Sequence, residues 1–321
     1  MLAAYASKVD AADPLSALTV GEKPDPEPSA DWVTVEVKAA SLNRHDLWAL
    51  SGVGLTEADC PMILGCDAAG VDPDGNEVIV HAVIGDPTAG GGDETLDPKR
   101  SLLSERYPGT LAERVMVPRD NLIAKPASLG FAQAACLPTA FLTAYRMLTT
   151  RGRLPVDGAV LVQGAGGGVA TAATLLAVAM GARVYVTSRD ASRRDRAAAL
   201  GATAVEPGAR LPERVDVVIE SVGEATIDHS LKCAKPGGRI VLCGTTAGHL
   251  AEVDLRRVFF LQLELIGSTM GTRGELSSLV EFCAEAGVEP IVDSVFPLSR
   301  TGDAMARLAS GEAFGKIVVE P

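Results

Sequence analysis

Across 321 residues the chain carries 29 Lys and Arg against 41 Asp and Glu, a formal net charge of −12, which argues against a nucleic-acid or membrane-surface partner because a basic face supplies the affinity for both. An apolar fraction of 47% gives material for the cores of two domains, and six cysteines (Cys60, Cys66, Cys136, Cys233, Cys243 and Cys283) form no CxxC pair and no disulfide framework. The first residues show no basic segment ahead of a long apolar core and no stretch suits a transmembrane helix, so a cytoplasmic protein is expected.

The first part of the chain is strand-rich. KPDPEP, 23–28, reads as a rigid extended link. WVTVEVKAASL, from Trp32, alternates apolar and polar residues as a half-buried strand does. NRHDLWALSG, 43–52, is a short helix and turn; CPMILGCDAAGV, 60–71, leads through Gly65 and Gly70 into a strand; NEVIVHAVI, 76–84, is a further strand. Residues 85–109 form a polar Gly/Pro-rich loop, and GTLAERVMVPRDNLIAKP returns to strands. Helical periodicity begins near Phe131, and residues 131–152 predict two helices broken by Pro138.

The segment VLVQGAGGGVATAATLLAVAMGARVYVTSR, 160–189, reads as strand, glycine turn, helix and strand, with Gly181 closing the helix. Such a turn lets the backbone approach a pyrophosphate, whose charge sits at the positive end of the helix. This is the nucleotide half of a Rossmann domain. The three fingerprint positions fall on Ala165, Gly167 and Ala170. Ala is accepted in the third place and is a departure in the first, although Gly164 and Gly166 keep the turn permissive. Ala165, Gly166, Gly167, Gly168 and Val169 are the candidate cofactor contacts. At the end of the second strand, where an NAD site places Asp or Glu, stand Ser188 and Arg189, followed by Arg193, Arg194 and Arg196. A local guanidinium cluster in an acidic chain suits the extra phosphate of NADP.

Beyond it, RRDRAAALGA predicts a helix closed by Gly201, VDVVIESVG a buried strand ending at Gly223, and 225–234 a helix before a PGG turn. RIVLCGT, 239–245, and LELIGSTM, 263–270, are the next strands. An amphipathic stretch, a short helix at 301–308 and the strand GKIVVEP close the chain. The strand–helix alternation predicts a parallel sheet with crossover helices.

The order of NRHDL, LGCDAAGV, GTLAERVMVP, LTAYRML, GAGGGVA, VIESVG, PGGRIVLCG, IGSTMG and FGKIVV resembles the medium-chain dehydrogenase/reductase superfamily over nearly the whole chain. The resemblance implies an α/β protein: a GroES-like β-rich barrel domain at 1–138 and 268–321, and a doubly wound Rossmann domain at 139–267, with the nicotinamide held between them. It also places Thr143, Val222, Gly223, Gly244, Thr245, Ser268, Thr269 and Met270 beside the cofactor.

In zinc-dependent members of this superfamily, the catalytic ligand positions fall on Asn43, Cys66 and Thr139 of this chain. Asn and Thr are poor zinc ligands, and only Cys66, with Asp67, could still coordinate. The structural zinc lobe would fall in 85–109, which has no cysteine. The chain therefore resembles the zinc-free, quinone-oxidoreductase-like branch, with no metal expected, and His45 and His81 are read as ordinary barrel histidines. Without zinc, a simple ketone loses its main electrostatic help, whereas a quinone or α,β-unsaturated carbonyl spreads the incoming charge itself. The expected activity is NADPH-dependent hydride transfer to such an acceptor. Asn43, Asp46, Cys66, Asp67 and Tyr145 are the candidate catalytic groups, and Asp46 is equally readable as a helix cap. Two alternatives stay open: an alcohol or aldehyde dehydrogenase with an atypical metal site around Cys66, and a non-catalytic NADPH-binding protein. A homodimer or homotetramer is expected by the same resemblance.

Overall fold

The computed structural model describes residues 1–27 and 29–321, so Pro28 of the extended link lies outside the described residues. The chain divides into two compact units, Met1–Ala140 with Met270–Pro321, and Phe141–Thr269.

The first unit opens with strands β1 (Leu2–Ala6), β2 (Leu18–Glu22) and β3 (Trp32–Ser41), then helix α1 (Arg44–Leu50). Strands β4 (Met62–Ile63), β5 (Asp67–Val71), β6 (Glu77–Val80), β7 (Val83–Ile84), β8 (Ser101–Leu102), β9 (Arg114–Pro118) and β10 (Leu122–Ala124) follow, then helix α2 (Phe131–Ala134). The alternation seen in the sequence of β3 is realised: Val33, Val35 and Val37 are buried, and Glu36 between them faces solvent. The expected strand at 76–84 is two. His81 and Ala82 separate β6, which pairs with β5 and β10, from β7, which pairs with β8. The expected loop at 85–109 therefore contains strand β8, and it buries Glu94.

Pro138 does not break the chain into two helices as expected. It sits inside a wider, π-type turn at Leu137–Phe141. Opening the winding by one residue accommodates the missing N–H and the ring that an ordinary α-turn rejects.

The second unit holds α3 (Leu142–Arg146), β11 (Ala159–Val162), α4 (Gly168–Ala179), β12 (Arg183–Thr187), α5 (Ala191–Ala199), β13 (Thr203–Val205), β14 (Val215–Glu220), α6 (Ile227–Cys233), β15 (Ala234–Leu242), α7 (Leu255–Phe260) and β16 (Glu264–Gly267). Its six strands are all parallel, in the order β13-β12-β11-β14-β15-β16. The order reverses between β11 and β14. A doubly wound sheet opens a crevice there, at the carboxyl ends of its strands. Strand β11 is wholly apolar, and β14 buries Val215, Val217, Val218 and Ile219, as strands covered on both faces do.

The chain then returns to the first unit with α8 (Arg273–Ala286), β17 (Val292–Pro297), α9 (Thr301–Ser310) and β18 (Lys316–Glu320). Strand β18 pairs with β17 and with β3, completing the sheet order β10-β6-β5-β3-β18-β17, with β9 also on β3. Val35, Leu64, Ala68, Leu111, Ile317 and Val319 belong to the core beneath it.

Candidate functional site

In the second unit, the residues after β11 build a cradle. Gly164 and Gly166 hold φ of +80° and +101°, a region costly to residues with a Cβ. Gly167 caps the twelve-residue helix α4, and a Cβ added there meets nothing within 4 Å, so the approach to the helix N-terminus is open. A Cβ added at Gly166 would instead stand 3.2 Å from Nε of Arg193, so this guanidinium lies over the turn. Backbone N–H groups at a helix start beside a guanidinium suit a phosphorylated dinucleotide. Ala165, Gly168 and Val169 belong to the same turn and first helical residues.

Buried hydrogen bonds hold the cradle in place. Thr187 Oγ1 accepts from the Gly164 N–H at 3.0 Å and donates to Gln163 Oε1 at 2.8 Å. Gln163 Nε2 donates to Ser230 Oγ at 3.0 Å, and Ser230 donates to Glu220 Oε2 at 2.6 Å. Glu220, fully buried, accepts from the N–H groups of Val222 and Gly223 at 2.9 and 3.1 Å. The carboxyl ends of β11, β12 and β14 are thus tied into one network around the switch point. Gln163 and Glu220 are absent from the sequence-derived candidates. Their signal was a polar residue ending an otherwise apolar strand.

The arginine cluster divides its work. Arg194 donates to the carbonyls of Ser188 and Arg189 at 2.8 and 3.1 Å and pairs with Glu206 at 3.3 Å, bracing the end of β12. Gly244 and Thr245 follow β15, and Ser268 and Thr269 follow β16, at the same edge of the sheet. Thr143 and Tyr145 lie on α3. Met270 falls in the first unit, where it packs with Cys66, Ala82 and Val83.

The first unit holds a second cluster around the N-terminus of α1. Asp46 is fully buried. It closes a capping box by accepting from the Asn43 N–H at 2.7 Å, and it reaches the Gly65 N–H at 3.1 Å. Burial pushes its carboxyl up, against the opposing pull of His45. Asp67 Oδ2 accepts from Ser41 Oγ and Asn43 Nδ2, both at 2.8 Å, and pairs with Lys316 Nζ at 3.3 Å. Lys316, on β18, also donates to the Leu42 carbonyl at 2.7 Å and to Asn43 Oδ1 at 2.5 Å. Its side chain is 3% exposed, so an ammonium ion is buried here with all three protons directed at oxygens. Lys316 was not among the sequence-derived candidates, because a lysine inside a closing GKIVV strand reads as an exposed edge residue.

Beside this cluster stand Cys66, His45 and Glu105. Cys66 Sγ is 3.5 Å from His45 Nδ1, and His45 Nε2 is 3.2 Å from Glu105 Oε1. His45 is raised to about 11, first by its electrostatic interaction with Cys66, then, against burial, by hydrogen bonds to Cys66 and Glu105. Burial pushes the Cys66 thiol up, with His45 opposing. Burial also acts on Glu105, but the hydrogen bonds from His45 and the Leu102 N–H prevail and lower it. His45, read from sequence as an ordinary barrel histidine, is thus engaged at both ring nitrogens.

The three positions that would hold a catalytic zinc do not fit the ion. The Asn43 amide is engaged at its nitrogen and its oxygen by Asp67 and Lys316, Thr139 offers a hydroxyl, and a lysine cation sits in the cluster. No group of three or more His, Cys, Asp or Glu side chains suited to a metal ion forms among the described residues. Nor is any helix among them long and apolar enough to cross a membrane.

Comparison with known proteins places these units. Residues 29–127 match the alcohol dehydrogenase GroES-like domain family, and residues 168–285 match the zinc-binding dehydrogenase family. A crystal structure of an NAD-dependent alcohol dehydrogenase superposes with a TM-score of 0.90 at 30% identity, covering 100% of both chains. The acryloyl-coenzyme A reductase of Sulfurisphaera tokodaii is 26% identical, over 94% of this chain and 95% of its own. The crotonyl-CoA carboxylase/reductase of Cereibacter sphaeroides is 28% identical, over 89% of this chain and 79% of its own.

Proposed function

The chain belongs to the medium-chain dehydrogenase/reductase superfamily, and from that premise we propose that it is an NADPH-dependent reductase of α,β-unsaturated carbonyl or quinone acceptors, working without catalytic zinc. The observation that carries this reading is the Lys316–Asn43–Asp67 cluster, in which Asn43, the side chain at one of the zinc positions, is already committed to a buried ammonium. With no Lewis acid to polarise a simple ketone, the acceptor must delocalise the incoming charge itself, and conjugated acceptors do so.

When bound, the nicotinamide supplies a hydride. The chain's own residues position it: the Gly164–Gly168 backbone and the start of α4 hold the pyrophosphate, and Arg193 with Arg189 receives the additional phosphate. Ser188, Val222, Gly223, Gly244, Thr245, Ser268 and Thr269 shape the rest of the cofactor site in this reading, with Thr143 and Tyr145 beside it. Asn43, Asp46 and Asp67 fix the α1 turn, and Cys66 stands next to it. Two relatives named as acryloyl- and crotonyl-coenzyme A reductases support an enoyl thioester as the acceptor to try first. The assembly is proposed to be a homodimer through the second unit.

The test is oxidation of NADPH and of NADH, followed by absorbance after chelator treatment, with enoyl thioesters, enones, quinones and simple aldehydes offered in turn. NADPH consumption with conjugated acceptors is expected. Activity on aldehydes alone, lost with the chelator, would replace this reading with a metal-assisted alcohol dehydrogenase. Tight NADPH binding with no turnover on any acceptor would leave a cofactor-binding protein.

A further inference from the structure

Beneath the turn between β11 and α4, buried groups pass hydrogen bonds along in a single direction. The Gly164 N–H donates to Thr187 Oγ1, and that hydroxyl donates to Gln163 Oε1. The other end of the Gln163 amide donates to Ser230 Oγ and to His229 Nδ1, each at 3.0 Å. Ser230 donates to Glu220 Oε2, where the chain stops. Thr187, Gln163, Ser230 and Glu220 are at most 1% exposed, so none can exchange its partner for water. The direction is set from both sides. Backbone N–H groups of Val222 and Gly223 can only donate, so Glu220 accepts from them, and Thr226 Oγ1 stands 2.9 and 3.0 Å from its two oxygens as a further donor. With the carboxylate accepting, Ser230 donates to it and accepts from Gln163, which turns the amide nitrogen toward Ser230 and the amide oxygen toward Thr187. The Ala209 carbonyl, 2.9 Å from His229 Nε2, requires a proton there and leaves Nδ1 as the lone pair that Gln163 meets. The chain ends at two turns. Gly164 follows β11 and Val222 and Gly223 follow β14, the strands between which the sheet order reverses. A Cβ added at Gly164 would stand 3.2 Å from Cγ2 of Val222, so the two turns are neighbours.

We propose that Gln163 is a positioning residue for the cofactor. Wholly buried, it acts through the two turns: its amide locks the Gly164 turn and the Val222–Gly223 turn in one register, and Glu220 sets the direction of the bonds between them. A break anywhere along the chain loosens both turns, and the cost of re-forming them is then taken from cofactor binding. The pyrophosphate end is common to NADPH and NADH, so the chain serves both, in contrast to the guanidinium of Arg193. The proposal rests on reading the Gly164–Gly168 turn as the pyrophosphate site and on nothing in the chemistry of the acceptor.

Two readouts test this on the full-length protein. The first needs no cofactor: nitrogen-15 NMR of histidine-labelled protein in mildly alkaline solution, with the His229 signal assigned by its loss in His229→Asn. The ring proton is expected on Nε2. A proton on Nδ1 would mean that the Gln163 amide faces the other way, and would overturn the proposal. The second is a titration of NADPH and of NADH, followed by cofactor fluorescence. Thr187→Val keeps the size of the side chain and removes the hydroxyl. It and Ser230→Ala are each expected to weaken both cofactors by the same factor, about 10-fold, the scale of a buried partner left unpaired. The double variant is expected to bind no worse than either single one, because one break already opens the chain. Thr187→Ser, which restores the hydroxyl, is expected to recover most of the affinity. Losses that multiply to about 100-fold in the double variant would mean two independent local supports and overturn the proposal. So would a loss confined to NADPH, or unchanged affinity in variants that urea unfolding shows to be less stable. These outcomes leave the cofactor site itself intact, whereas a wild type that takes up neither cofactor would overturn both.

Discussion

Lys316 shows how one residue carries more than its position in the sequence suggests. Its ammonium offsets Asp67 and fixes the Asn43 amide, so Lys316→Met leaves a buried carboxylate without its cation. Breaking such a pair on one side costs about 3–5 kcal/mol, whereas replacing both partners by apolar groups is far less damaging. Urea unfolding is therefore expected to show Lys316→Met destabilised on that scale and Lys316→Met/Asp67→Leu less so. Equal loss in both would mean that the pair itself contributes the stability. A second residue-scale prediction concerns pH. The folded pKa of His45, about 11, lies above its ordinary 6.5, so the folded chain binds the extra proton between these values. The stability it contributes is present in full below pH 6.5 and is lost as pH rises toward 11. The buried Cys66 thiol, also raised, acts in the same direction at the alkaline end. Unfolding free energy should fall from pH 7 to pH 10, and more gently in Glu105→Gln than in the wild type. A rise across that range would contradict the His45 assignment.

At the scale of elements, the turn between β11 and α4 is where backbone and cofactor meet. Gly166→Ala places a Cβ at φ +101° and 3.2 Å from Arg193, a strain of about 1–3 kcal/mol borne by the cradle rather than by the core. NADPH affinity is expected to fall about 10-fold or more, with the far-ultraviolet circular dichroism unchanged. Arg193→Ala removes the guanidinium from the turn. It should weaken NADPH about 10- to 100-fold, the scale of a charge-assisted contact, and leave NADH nearly unaffected. Equal loss for both cofactors in a titration would move the extra-phosphate contact elsewhere, with Arg189 the first alternative. This stretch was legible from sequence because strand, glycine turn and helix are local: Ala159–Val162, Gly168–Ala179 and Arg183–Thr187 follow the strand, turn, helix and strand read for 160–189. The helical stretch around Pro138 was less so, because proline signals only that an ordinary turn fails, and a wider turn and a break satisfy it equally. The polar networks were least legible of all. Lys316 meets Asn43 and Asp67 across 273 and 249 positions of sequence, and no local pattern marks a pairing made by strand order.

At the scale of the whole molecule, what stays uncovered carries the last prediction. Strand β16 pairs on one side with β15 and lies at the end of the six-stranded order, so its other edge pairs with no strand among the described residues, although Arg151 Nε donates to the Gly267 carbonyl at 3.0 Å. Helix α7, just before it, exposes Leu255, Phe259 and Phe260 at 71%, 70% and 79%. Helix α7 was not anticipated from sequence, because LRRVFF is too short for periodicity to separate from a loop. Three large apolar side chains exposed on the short helix that leads into this strand give each copy an apolar patch that a lone chain would leave in water, at about 25 cal/mol for each Å² of apolar surface. A second copy presenting the same edge by a two-fold axis continues the sheet and covers both patches at once. The proposed dimer should therefore appear in sedimentation velocity at micromolar concentration. Phe259→Glu/Phe260→Glu should convert it to a folded monomer that still binds NADPH, since the turn before α4 lies on other strands of the sheet. A wild-type monomer at these concentrations would refute the edge-to-edge assembly, and a dimer indifferent to the double substitution would place the interface on another face.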